Sequence, residues 1–454
     1  MIGFLVERFV QHQDREAVLW NGRSYDYRWL NDRIQAWLGY LRQHAVTRGT
    51  VAIVEADFSP DAVALLLALI EHRCIIVPLS PGAERKKQQY GELARGEVRI
   101  RLTGDVPPVI DWLPRQTDHP LYAQLRQAEH PGLVLFSSGS TGNSKAAVHD
   151  WHLLLEKYKK PRRNLRTLAF LLFDHIGGID TLFYSLSNAS CIITVSDRSP
   201  DSICLAIEAY RIEVLPVSPT FLNLLLLSEA YTRYDLSSLK YITYGTEVMP
   251  ERTLKRIAEL MPHAALLQKY GTTEIGTLRS KSKSSDSLWV SIGGDGYELR
   301  VVDGVLQVKA RSAMLGYLNA PSPFTDDGWF ITGDLVEVDG EYMRIKGRSS
   351  DIINVGGEKV YPAEVENVIL ELEGVAEVTV YGVDSPIVGQ MVCARVRRTE
   401  AAEASPDERD FAKRVKKHCS ERLQSYKVPV RIAFTYEELH SQRFKKIRRI
   451  AEHE

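Results

Sequence analysis

The sequence predicts an α/β fold: a large N-terminal domain of mixed, mostly parallel sheets sandwiched by helices, with a β-rich subdomain, then a small α+β domain. Three observations carry this. Short apolar runs alternate with segments of helical period through the first half, the pattern of strand–helix units covered on both faces. From about residue 290 the texture changes to short strands and turns. Beyond about residue 350 helices and strands alternate again on a smaller scale.

Taken in order, Tyr27 to Leu41 carries Leu30, Ile34, Leu38 and Leu41 at helical spacing. Val51 to Val54 reads as a strand, Asp61 to His72 as a helix buried on most sides, and Cys74 to Leu79 as a strand. Gly82 to Glu97 is polar and expected at the surface. Leu133 to Phe136 and Ala146 to Val148 are short buried strands around a loop rich in hydroxyls and glycine. A helix is expected over His152 to Lys160 and a strand over Leu168 to Phe173, which runs into Asp174-His175-Ile176-Gly177-Gly178. Val214 to Val217, the helix Thr220 to Glu229 and the strand Tyr241 to Tyr244 follow. Leu299 to Val302 and Leu306 to Val308 form a hairpin. The C-terminal part reads as a helix (Pro362 to Glu371), two strands (Ala376 to Gly382 and Met391 to Arg397) and a charged helix (Glu408 to Leu423). No repeat is present.

Composition narrows the function classes. The 454 residues suffice for two or three domains. The net charge of -1 supplies no field for nucleic acid or an anionic membrane. The apolar run Ala62 to Ile70 is far short of the ~20 residues that span a bilayer. The N-terminus has no charged-then-apolar leader pattern, with Glu7, Arg8 and Asp14 early. The five cysteines are scattered and suit neither a zinc site nor a disulfide frame. A cytoplasmic location is expected.

The loop holds Ser138, Gly139, Ser140, Thr141 and Gly142, then Lys145. Glycines let backbone amides approach a ligand, hydroxyls donate, and a lysine supplies charge, which together suit a polyphosphate. It is not a Walker loop: Asn143 and Ser144 separate Gly142 from Lys145, and Ala146 stands where that loop has its metal-binding hydroxyl. Taken alone, the loop leaves a Ser/Gly-rich surface turn as a real alternative. His175 sits at a strand end before paired glycines, where open α/β sheets bind ligands, and a packed or capping histidine is the even alternative. Tyr270-Gly271-Thr272-Thr273-Glu274 brings a ring, hydroxyls and a carboxylate together, suited to a base, a phosphate and Mg²⁺. Asp334 is a turn carboxylate suited to ribose hydroxyls.

In this order the segments resemble the adenylate-forming ligases, the superfamily of acyl-CoA synthetases, standalone adenylation domains and luciferases. The likeness runs from about Tyr25 to Arg449. It rests on Ser138 to Lys145, Tyr270 to Glu274, Gly328 to Leu335 (Gly-Trp-x-x-Thr-Gly-Asp), Gly347 to Glu366 and Leu423 to Pro429. The chain departs from the pattern at Ser144 and Ala146, where the family has Pro and Gly, and at Lys445, which replaces Gly before the register position of the catalytic lysine, Lys446.

The resemblance implies ATP and Mg²⁺, a small carboxylic acid, and CoA or the phosphopantetheine of an acyl carrier protein as acceptor in trans. It implies residues 1–348 as the adenylation core and 349–454 as a mobile lid hinged at Ser350. Lys446, Thr273, Glu274 and His175 take catalytic roles. Ser138 to Gly142, Lys145, Gly245, Thr246, Tyr270, Gly271, Thr273, Asp334 and Arg348 hold ATP. Glu274 and Thr141 hold the metal. His175, Tyr244, Gly245 and Gly271 line the acid pocket, and Gly356 and Gly357 line a thiol tunnel. Acetate-specific relatives carry Trp at the position of Gly271, so an aromatic or medium-chain acid is expected here. Adenylation with an amine acceptor is one alternative, and a catalytically silent nucleotide-binding regulator is another. The oligomeric state, with a homodimer as one expectation, lies beyond the sequence.

Overall fold

The computed structural model describes residues 1–81, 84–102, 108–114, 117–138, 144–403, 407–441 and 444–447. Two seven-stranded sheets form its centre. The first runs Ala265–Gln268, Tyr241–Tyr244, Val214–Val217, Thr167–Leu168, Ile192–Thr194, Glu16–Trp20, Arg23–Asp26, and only its last pair is antiparallel. The second runs Gly316–Tyr317, Ser144–Asp150, Gly132–Ser138, Ile75–Leu79, Val51–Glu55, Val98–Arg101, Val109–Trp112, parallel in the middle and antiparallel at both ends. Val51–Glu55 and Ile75–Leu79 are buried along their whole length, as parallel strands covered on both faces must be.

The helix Pro60–Glu71 explains the layering. It is apolar all round and buried over Ala62 to Ile70, so it belongs between the sheets. Ser59 caps it by accepting the Ala62 N–H, and Pro60 supplies its first turn. One core cluster joins it to helices Tyr27–Gln43 and Ile176–Ser187 and to strands of both sheets. Helices Pro200–Tyr210, Pro219–Ser228 and Glu251–Leu260 cover the outer face of the first sheet. The outer face of the second is covered by Glu84–Leu93 and Pro120–Gln127.

A third, six-stranded antiparallel sheet ends at Arg348, and the C-terminal sheet begins at Ile353. A single 3-10 turn, Ser349–Asp351, joins them. The C-terminal sheet packs helices Pro362–Leu370 and Glu408–Ser420 into its own core. Two sequence expectations change. Gly82 to Glu97 contains the helix Glu84–Leu93, anchored by Tyr90, which stacks on Phe136 at 4.0 Å, with Leu93 packed on the same core. The strand expected over Leu168 to Phe173 pairs only at Thr167–Leu168, because the chain turns early to enter the helix that His175 begins.

Candidate active site

The strands Gly132–Ser138 and Ser144–Asp150 pair antiparallel, with Ser137 opposite Lys145. Gly139, Ser140, Thr141 and Gly142, and the side chain of Ser138, lie outside the described residues. The described flank is braced: Asn319 donates to the Ser144 carbonyl at 2.8 Å and accepts the Ala146 N–H at 2.9 Å. Lys145 Nζ stands 5.3 Å from the ring centre of Tyr317, and the Tyr317 hydroxyl donates to Glu274 Oε1 at 2.7 Å. Tyr317 was not among the residues singled out from sequence. It reaches the site because Gly316–Tyr317 pairs with Ala147 and Val148.

Glu274 sits in the tight hairpin of Gly271–Thr272 and Gly276–Thr277, and it is buried. Its backbone N–H donates to Thr272 Oγ1 at 3.3 Å. Thr273 lies beside it, half-buried. Behind it His149 is completely buried, and burial lowers its imidazole to about 4 against the pull of Glu274, so the ring is neutral near pH 7.

Tyr270 precedes the hairpin, and its hydroxyl donates to Asp334 Oδ2 at 2.7 Å. Arg348 Nε donates to Asp334 Oδ1 at 3.3 Å, and the two residues are cross-strand partners. Burial raises the Asp334 carboxyl above the usual range, with the Arg348 guanidinium pulling the other way. The same burial, with Asp334 beside it, pushes the Tyr270 phenol well up. Thr246 adopts φ +74, a region uncommon for a residue with a Cβ and one that clusters at functional sites. A Cβ at Gly245 would stand 2.6 Å from the Lys269 carbonyl oxygen.

Two residues expected in the acid pocket, Gly271 and Tyr244, also have structural reasons for their places. A Cβ at Gly271 would meet the Gly276 oxygen at 2.6 Å and Thr277 Cα at 2.8 Å. The glycine allows two backbones to touch, which accounts for it without reference to the size of the acid. Tyr244 shares the strand face of Ile242 and is buried in the outer core with Phe221, Met249 and Leu254. Strand alternation turns Thr243 to the opposite face.

That face also takes Lys269, which follows Leu266 and Gln268 of the outer face by one step. Burial lowers the Lys269 ammonium, with Asp180 opposing. Among the described residues the Lys269 side chain has no ion pair or hydrogen bond. Asp180 is engaged by Lys157 at 2.5 Å and by the Tyr158 hydroxyl at 2.6 Å.

His175 caps the helix Ile176–Ser187: its Nδ1 accepts the Gly177 N–H at 3.0 Å. Gly178 must be glycine, since a Cβ there would lie 2.1 Å from the Leu172 oxygen. This helix packs on the strand Gly276–Thr277, which joins His175 to the Glu274 hairpin. The C-terminal tail arrives at the same place. Lys445 Nζ lies 3.2 Å from His175 Nε2, whereas Lys446 Nζ lies 2.9 Å from Glu366 Oε2. Gly356 and Gly357 form the turn between Ile353–Val355 and Glu358–Val360, at φ +59 and +92. They are exposed. Ser350 is exposed in the joining turn and donates to Asp351 at 3.0 Å.

The tail is anchored by Glu377, which accepts the Leu439 N–H at 2.8 Å and pairs with His440 Nδ1 at 3.0 Å. Burial opposes the His440 charge, but Glu377 outweighs it and raises the imidazole above its ordinary 6.5. Glu377 is lowered from 4.5 by His440 and Arg397, against its own burial. The histidine's contribution is complete below 6.5 and lost as pH rises through its raised value, while the carboxylate's is lost as pH falls below 4.5. Trypsin should therefore cut the tail faster at pH 8.5 than at pH 6, relative to a free peptide of the same sequence. His440→Gln should abolish the difference. An equal ratio at both pH values in the unaltered chain would contradict the anchor.

Among the described residues, no helix is long and apolar enough to cross a membrane. The AMP-binding enzyme family model matches residues 5–317, and the AMP-binding enzyme C-terminal domain model matches 364–446. An indenyl-propanoyl:CoA ligase of Rhodococcus jostii is 29% identical over 321 residues, covering 66% of this chain and 61% of that one. Indoleacetate–CoA ligase of Aromatoleum aromaticum is 29% identical over 334 residues, covering 67% and 63%. The chain thus matches somewhat under two thirds of the length of these relatives. The solved anthranilate CoA ligase AuaEII, in complex with anthranoyl-AMP, has a TM-score of 0.82 at 20% identity, covering 98% of this chain and 95% of that one. Amide bond synthetase McbA of Marinactinospora thermotolerans has a TM-score of 0.79 at 22% identity, covering 97% of each. These two likenesses establish the fold.

Proposed function

This chain belongs to the AMP-binding enzyme family, and we propose that it activates a small carboxylic acid with ATP and passes the acyl group to the thiol of CoA. The observation that carries the reading is one continuous polar site. Tyr317 on Glu274, and Arg348 and Tyr270 on Asp334, surround a single hairpin that also meets the helix headed by His175.

A carboxylate is a poor acyl donor because oxide is a poor leaving group. In the first step a carboxylate oxygen attacks the α-phosphorus of ATP. The new O–P bond forms as the bond to the bridging oxygen breaks, and pyrophosphate leaves. Negative charge gathers around the α-phosphate, so the protein's work is positioning and cations. Asp334 and Arg348 hold the ribose, with Tyr270 packed beside the base. Lys145 faces the phosphates. The buried Glu274 would offer Mg²⁺ one hard carboxylate oxygen, and the ion would supply charge to neutralise the phosphates. In the second step the thiol sulfur attacks the acyl carbon, the C–O bond to AMP breaks, and the thiol proton goes to solvent.

Lys269 supports an acid with a second polar group. Asp180 lies five residues into the helix that His175 begins, about 7–8 Å along its axis at 1.5 Å per residue. Asp180 is also the acidic group that opposes the lowering of the Lys269 ammonium, which puts both residues in this region. Lys269→Met should lower turnover of such an acid roughly tenfold or more relative to its apolar analogue, since the buried acceptor loses its donor. An unchanged ratio would contradict the role.

The function is tested by incubating the protein with ATP, Mg²⁺, a panel of aromatic and aliphatic acids, and either CoA or a simple amine. An acyl-CoA mass with one acid class is expected. An acyl amide with no thioester would reassign the acceptor, and a carrier-bound acyl group with none on CoA would reassign the thiol.

A further inference from the structure

We propose that Lys157 sets the charge that the acid's second group meets: by holding Asp180 it keeps that carboxylate off Lys269, and the site takes an acid whose second group is an anion. This rests on the adenylation reading above and on Lys269 serving the acid. Lys157 is fixed by two elements and a ring. Its Nζ donates to Asp180 Oδ1 at 2.5 Å and to the Thr277 carbonyl at 3.1 Å, and it stands 5.0 Å from the ring centre of Tyr158. Thr277 belongs to the short strand that follows Glu274, and the helix carrying Asp180 packs on that strand. Asp180 Oδ1 also accepts the hydroxyl of the buried Tyr158 at 2.6 Å.

The ion pair is partly buried, with side chains 27% and 26% exposed. There the attraction between opposite charges is stronger than in open water, so a carboxylate that loses its cation draws another ammonium in reach. Lys269 is that ammonium. Asp180 pulls its charge upward, while burial, the exposed Arg162 and Lys157 push it down. Its side chain has no ion pair or hydrogen bond among the described residues. With Lys157 on Asp180, those two charges cancel and the charge of Lys269 is left for a ligand. Hydrogen bonds between two charged groups are the stronger ones, so an anion is favoured over a neutral acceptor of the same shape. Without Lys157, Asp180 would cancel Lys269 instead, and the preference would pass to an uncharged group.

Acid-dependent ATP–pyrophosphate exchange is measured with succinate, glutarate and phthalate, each beside its monoamide, which differs in charge and little in size. The readout is the kcat/KM of the diacid divided by that of its monoamide. The unaltered chain should favour one diacid by about tenfold or more. Lys157→Met should lower that ratio roughly tenfold, and Lys157→Met with Asp180→Asn should bring it back to within about threefold of the unaltered value. Asp180→Asn alone keeps an oxygen for Tyr158 and Lys157 and should raise the ratio, which decides the case even where Lys157→Met does not fold. A purely structural pair would slow diacid and monoamide alike. A ratio unmoved or lowered in Asp180→Asn, or a loss in Lys157→Met that the second substitution does not restore, would overturn the assignment. Exchange with monofunctional acids alone would overturn it and leave adenylation standing. Exchange with no acid, despite ATP binding, would refute adenylation and this assignment with it.

Discussion

Glu274→Gln is expected to lower acid-dependent ATP–pyrophosphate exchange by about 100-fold or more, the scale seen when one preorganised charge-stabilising group is removed. The substitution is nearly isosteric. An amide oxygen at the same place still accepts the Tyr317 hydroxyl, which now donates to Glu274 at 2.7 Å. What disappears is the negative charge, and Mg²⁺ takes hard anionic oxygens. The thermal midpoint should hold within a few degrees, since the hydrogen bond and the packing survive. Exchange at the wild-type rate in Glu274→Gln would remove Glu274 from the metal role. A collapse of the midpoint would mark the residue as structural.

Ser350→Pro is expected to separate the two half-reactions. The large and small domains are joined through Ser349–Asp351, and a cavity of about 380 Å³ lies between them, lined by Lys346, Tyr361, Glu364 and Lys427. Direct polar ties across the junction include Asn223 to the Ala376 carbonyl at 2.9 Å and Arg252 to the Leu370 carbonyl at 2.6 Å. A polar, partly hollow interface of this kind permits one domain to turn on the other. Gly356 and Gly357 are exposed on the small domain. Proline fixes φ and constrains the residue before it. Pyrophosphate exchange should stay close to wild type while thioester formation falls roughly tenfold or more, at least 1.4 kcal/mol of barrier. Equal losses in both steps, or in neither, would contradict rotation about this turn.

Much of the site was legible because its residues are close in sequence. Tyr270 and Glu274 lie in one five-residue stretch, and Asp334 and Arg348 fall opposite each other in one antiparallel pair. What escaped depends on long-range contact. Tyr317 comes to Glu274 through a two-residue strand that pairs with Val148 and Ala147, and nothing in its own neighbourhood announces this. The meaning of Gly271 changed because the atoms that exclude a Cβ belong to Gly276 and Thr277, across a hairpin. The face of Tyr244 could have been read: it alternates with Thr243 on a strand whose Ile242 is core. Lys269 offered a weaker signal, a charge placed between buried positions. For the two lysines of the tail, sequence gives a register, but which ammonium reaches His175 depends on a left-handed turn at Phe444. The layered fold was readable from strand–helix alternation, while the helix Glu84–Leu93 was hidden by its polarity, with Tyr90 supplying its anchor.

The most direct measurement is acid-dependent ATP–pyrophosphate exchange by the unaltered chain, with Mg²⁺, over aromatic and aliphatic acids with and without a second polar group. Exchange that requires both Mg²⁺ and one class of acid is the expected result, with acids bearing a second polar group exchanging fastest. Measurable ATP binding with no exchange for any acid would contradict adenylation and leave a nucleotide-binding protein without this chemistry.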